Sequence, residues 1–212
     1  MKRYVFLLAV AFCIFSARAQ PVLKPIFPQL KSSVVVNFGP GCRIKIALPE
    51  TASFPTVYEI EPGQGGGSIL LQGLRLFNEV WSLGFVCYLA DDARVKAGWA
   101  IPKPGGGWQP NIDSSITQLI SFNAFRYYDL TSINTQGWAI TYDDISGDER
   151  SRRRVLSYCL IYEAKAICGQ DFMGYLPDIQ RNKRADLTPH ALKVLRSIEF
   201  LEDAPPPALA KP

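Results

Sequence analysis

Few residues in this chain are of types that do chemistry, and their spacing narrows what they could do. His190 is the one histidine. A lone imidazole cannot supply the ligand set of a histidine-based zinc site, and no Gly-x-Ser-x-Gly elbow offers it a nucleophile. At the second position of an expected helix, it reads as a surface residue. Cys42, Cys87, Cys159 and Cys168 contain no Cys-x-x-Cys spacing, so neither redox exchange nor a zinc ribbon is supported. The glycine-rich run at 62–68 lacks the Gly-Lys-Ser/Thr that contacts phosphate and metal, and no clear helix follows it. It and the loop at 102–110 read as flexible hairpin connections. The densest acidic stretch is Asp143-Asp144-Ile145-Ser146-Gly147-Asp148-Glu149. Its spacing departs from an EF-hand loop; turn solvation is favoured, and a calcium reading stays open. Carboxylate pairs of the kind glycosidases use occur in any chain of this size. The expectation is a protein with no catalytic residues, no metal and no cofactor.

Binding chemistry has more to work with. Arg150, Arg152, Arg153 and Arg154 follow the acidic stretch directly, so patches of opposite sign adjoin at one hairpin tip. Trp108 sits on the second glycine-rich loop. Arginine and tryptophan are the commonest anchors of protein interfaces. These five residues form the candidate partner-binding set, against the plainer reading of a solvated hairpin end.

Two further features say where such a protein works. Lys2 and Arg3 precede an apolar run at 4–15, and Ala17-Arg18-Ala19 presents small residues where a signal peptidase reads them. The run is shorter than the ~20 residues a spanning helix needs. Residues 1–19 are therefore expected to be a signal peptide cleaved between Ala19 and Gln20, leaving a soluble periplasmic or secreted chain without a transmembrane segment. Cys13 follows a bulky Phe12, which argues against a lipidated N-terminus. Loss of Lys2, Arg3 and Arg18 turns 23 basic against 19 acidic residues into 20 against 19. That balance gives no electrostatic case for binding nucleic acid.

Four cysteines in an exported chain imply two disulfides, and three pairings are open. Residues 157–168 read as a hairpin turning at Glu163-Ala164. In that register Tyr162 faces Lys165, Leu160 faces Ile167 and Cys159 faces Cys168 at a non-hydrogen-bonded position. There the α-carbons lie about 4.5 Å apart, within reach of a disulfide. Cys42–Cys87 is then the remaining pair.

The elements that must position these residues follow from periodicity. Residues 20–33 hold three prolines and read as an extended arm; 34–38, 42–48 and 57–61 read as strands. Residues 68–89 fit either a helix or two long strands, with Gly73 and Gly84 favouring strands. Residues 93–101 add a strand. A mid-chain helix is expected over 113–122, capped by Asp113 or Ser114. Four strands follow at 125–132, 138–145, 154–162 and 165–176. A last helix opens at Thr188-Pro189, where proline's missing N–H costs nothing. Residues 204–212 form a disordered proline-rich tail. The fold class is α+β: one globular domain over 20–203, an antiparallel sheet with the mid-chain and C-terminal helices packed on it and two disulfides.

The order of elements from 137 to 200, closing on Leu195-Arg196-Ser197-Ile198-Glu199-Phe200, resembles PsbP-like and DcrB-like domains. These end by laying a helix across an antiparallel sheet, and related folds occur among immunity proteins that guard the periplasm against type VI secretion effectors. The resemblance implies a non-catalytic immunity protein that inhibits a secreted toxin by occluding it. A carrier or sensor of a lipid or other small ligand is the alternative, and an envelope hydrolase using carboxylates comes third.

Overall fold

The computed structural model describes residues 30–49, 52, 56–61, 64–71, 81–96 and 98–203. The expected signal peptide, the arm up to residue 29, the tail at 204–212 and the middle of the ambiguous 68–89 segment lie outside them.

Alternating burial organises the chain. In β5 (Trp81–Leu89), residues 81, 83, 85 and 87 are buried and the intervening ones are partly exposed, the period-2 pattern of a strand with two unequal faces. The same alternation marks β2 (Arg43–Pro49). β5 belongs to a seven-stranded antiparallel sheet with β3 (Thr56–Glu61), β4 (Gln64–Leu71), β8 (Phe125–Thr131), β9 (Gln136–Asp143), β10 (Arg153–Tyr162) and β11 (Lys165–Tyr175), in the order β3-β4-β5-β11-β10-β9-β8. A smaller sheet joins β1 (Leu30–Asn37), β2 and β12 (Glu199–Leu201). Between them lies the main core. Val36, Ile44 and Ile46 from the small sheet, Leu192 and Leu195 from α4 (Thr188–Leu195), and Phe85 and Leu160 from the large sheet form one cluster. Burying such side chains stabilises by roughly 1.5–3 kcal/mol each. Phe38 stacks on Phe85 at 5.7 Å, and Tyr162 stacks on Phe200 at 5.2 Å, tying the sheets together.

Both disulfides form as the hairpin register requires. Cys159 faces Cys168 across β10 and β11 with α-carbons 4.0 Å apart, and Cys42 is bonded to Cys87 on β5. Glu163 turns that hairpin with a left-handed φ of 50°. The mid-chain helix α2 (Ser114–Ser121) begins where expected, with the Asp113 carboxylate accepting the Ile116 amide at 2.8 Å. The fold is predominantly antiparallel sheet, with four short helices among the described residues, the third of them α3 (Leu176–Arg181).

Three expectations change. Residues 93–101 are not one strand: α1 (Ala93–Lys96) folds first and only Ala100–Pro102 (β6) is extended. Asp92 starts that turn by accepting the Arg94 amide at 2.8 Å. The glycines at 65–67 are not a loop but the first half of β4. A β-carbon on Gly65 would stand 1.9 Å from the Phe38 carbonyl oxygen, so glycine is what lets two backbones touch there. The final helix ends at Leu195, and the chain re-enters the small sheet as β12, paired with β2. The Asn134 side chain both donates to and accepts from the Phe200 backbone, at 2.8 and 3.0 Å, fastening this last strand to the β8–β9 turn.

Candidate functional site

The strand period separates the four arginines. Arg154 opens the buried side of β10, and its side chain is 10 % exposed. Its guanidinium takes both oxygens of Asp143, at 2.7 and 2.8 Å, and reaches Asp186 at 2.6 Å. These bonds, above all that to Asp143, push its pKa further up against the opposing effect of burial. Arg154 is an internal clamp, and the outward set is Arg150, Arg152 and Arg153. Arg153 lies over the rings of Phe172 and Tyr175 at 5.0 and 5.3 Å. Arg152 faces Glu149 at 3.8 Å and donates to the Gly147 carbonyl at 3.3 Å, while Arg150 is exposed.

The acidic stretch is engaged in this same tip. Asp143 holds Arg154, Asp144 accepts the Arg153 amide at 2.9 Å, and Asp148 accepts the Arg150 amide at 3.0 Å. Among the described residues no group of three His, Cys, Asp or Glu side chains stands close enough to hold a metal ion. His190 is half-buried, and burial pulls its pKa down, with Lys193 adding to the effect. Among the described residues no helix is long and apolar enough to cross a membrane.

Trp108 is not at a loop tip. It opens β7 (Trp108–Pro110), which pairs with β6, and its half-buried ring packs on the second face of the large sheet. That face holds a second apolar cluster built on Trp138, Ile140, Cys159 and Cys168, with Val95 and Ala100 laid over it from α1 and β6. The cover is incomplete. A groove of about 390 Å³ remains, lined by Tyr88, Arg94, Trp99, Trp138, Ser157 and Gln170, with the Cys159–Cys168 disulfide in its lining. Gly98 makes the close approach possible, because a β-carbon there would meet the Trp138 ring at 2.9 Å.

Beside the groove the sheet has an open seam. Pairing of β5 with β11 stops at Val86 and Cys168. Beyond it the Gly84 amide donates to the Asp171 carboxylate at 2.7 Å, and the Gly84 carbonyl accepts from the Tyr158 hydroxyl. Two side chains thus replace the ladder bonds of one residue. Burial raises the Asp171 carboxyl to about 6, opposed by the Gly84 amide and the Ser82 hydroxyl. Burial, and then the nearby Asp171 charge, holds the Tyr158 phenol well above its ordinary value.

Apart from Cys159 and Cys168, none of the groove or seam residues was among the sequence candidates. The local signs were Gly84 and Gly169, since glycine inside a strand marks a bulge or a close approach. Compared with known proteins, the chain matches no family model and no curated protein.

Proposed function

We propose that the protein is a non-catalytic binding protein of the cell envelope whose partner is another protein. The most concrete form is an immunity protein that occludes a secreted toxin. The observation that carries this reading is the Arg153 guanidinium lying across Phe172 and Tyr175, with Arg150 and Arg152 beside it. Stacked arginine and aromatic side chains are hot-spot material. The Asp143–Arg154–Asp186 cluster beneath them anchors the tip to the body of the fold. A pre-ordered tip loses little entropy on docking, which favours a tight complex. The excess of arginine at the tip calls for an acidic patch on the partner.

Purification of the full chain from its native host tests this reading. The expected result is one partner at fixed stoichiometry, released when Arg153 and Phe172 are both replaced by alanine. Turnover of peptidoglycan or phospholipid by the pure protein would overturn it.

A further inference from the structure

The groove on the second sheet face lies apart from the arginine tip, and its chemistry is different. Its charge is internally balanced. Arg94 donates to both oxygens of Asp92, at 3.0 and 2.8 Å, and side-chain bonding to Arg94 holds the Asp92 carboxyl down at about 2, so the pair stays ionised and cancelled. An anionic ligand would have to compete with Asp92 for that guanidinium.

The groove also holds polar groups that the fold leaves unused. Ser157 is only 7 % exposed, and its hydroxyl has no hydrogen-bond partner among the described residues. The Trp138 indole N–H is buried without an acceptor. Native proteins satisfy nearly all buried polar groups, so the Trp138 N–H calls for an explanation, while the Ser157 hydroxyl is not fully buried and stays open to solvent or a ligand. Gln170 stands exposed at the rim with an amide that both donates and accepts. The rings of Trp99 and Tyr88 line the groove as well, the Tyr88 ring with the Arg94 guanidinium 4.6 Å from its centroid. Trp99 is steadied by stacking on Tyr142 at 5.0 Å. The volume falls within the range of small-molecule sites.

We propose that this groove binds a neutral saccharide, with the apolar face of a sugar ring against Trp99 and its hydroxyls bonded to Ser157 and Gln170. A sugar offers an electropositive C–H face to an electron-rich aromatic face, together with groups that donate and accept at once. An acyl chain would cover the rings but leave the Ser157 hydroxyl buried and unpaired, at a cost. The Cys159–Cys168 bond ties together the two strands behind the site, so it is formed before the ligand arrives.

The test is titration of the full chain with glucose, N-acetylglucosamine and its disaccharide, followed by indole N–H resonances and calorimetry, with decanoate as the apolar comparison. At least one sugar should saturate with a dissociation constant of about 1 mM or tighter and shift the Trp99 or Trp138 resonance. Ser157→Ala should weaken it about fivefold at an unchanged melting temperature. Trp99→Ala should remove saturable binding, and Arg153→Ala should leave it intact, so the groove and the arginine tip are judged separately. Absence of saturation by every sugar at about 10 mM, or saturation by decanoate alone, would overturn the proposal. If Trp99→Ala fails to fold, Ser157→Ala decides.

Discussion

Asp171 accepts the Gly84 amide at 2.7 Å in the seam where β5 and β11 stop pairing. A carboxylate thus does work that a backbone carbonyl does elsewhere in the sheet. The arrangement costs something, because burial disfavours the charged carboxylate and raises its pKa from 3.8 to about 6.

That shift predicts a pH dependence of stability. The folded state holds the proton more tightly than the unfolded chain. The contribution is therefore fully present below about 3.8 and is lost as pH rises through about 6. Its size is on the order of 3 kcal/mol. Asp171→Asn keeps an oxygen for the Gly84 amide and removes the charge, so urea unfolding should find it more stable than the parent at pH above the shifted pKa. The two proteins should converge in acid. An unchanged pH slope in the variant would show that Asp171 is not the group responsible.

The two disulfides should differ in weight. Cys42–Cys87 spans 45 residues and Cys159–Cys168 spans 9. In the chain-entropy account the longer loop restrains the unfolded state by about 1.4 kcal/mol more. The shorter bond also joins strands that are already paired along the whole hairpin. Cys159→Ser with Cys168→Ser should therefore lower the melting temperature less than Cys42→Ser with Cys87→Ser. Equal losses would mean that strain or residual structure outweighs loop length.

Arg154 and Arg153 are adjacent in sequence and should respond to alanine by very different amounts. Arg154→Ala leaves Asp143 and Asp186 without their shared cation in a poorly solvated place and should cost about 3 kcal/mol or more of stability. Arg153→Ala removes an exposed stacked cation and should cost under about 1 kcal/mol. With a partner in hand, Arg152→Ala and Arg153→Ala together should slow association and reduce its salt sensitivity. Denaturant midpoints read the first contrast and stopped-flow rates the second.

Trp108→Ala should act on the fold. The ring is half-buried against the cluster around Trp138, so its loss opens that cluster and should cost about 2 kcal/mol. A binding defect without a stability defect would instead place Trp108 at the partner interface.

What the sequence by itself determined was local. The hairpin at 157–168 could be paired residue by residue, because alternation and one turn define a register without reference to the rest of the chain. The cap of α2 and the opening of α4 were legible for the same reason: a capping side chain or an N-terminal proline acts within its own turn. The tertiary structure alone decided which side of each strand is covered. Alternation along β10 shows that Arg153 and Arg154 point to opposite faces, but the inner face became known only when Asp186 arrived from 32 residues away. The glycines at 65–67 looked like a loop because the groups they admit, the Phe38, Phe85 and Thr56 carbonyls, lie outside their own segment. The groove and the Asp171 seam were hidden for a deeper reason. They exist where a sheet is incompletely covered and where two strands part, and those are relations between segments that no single segment encodes.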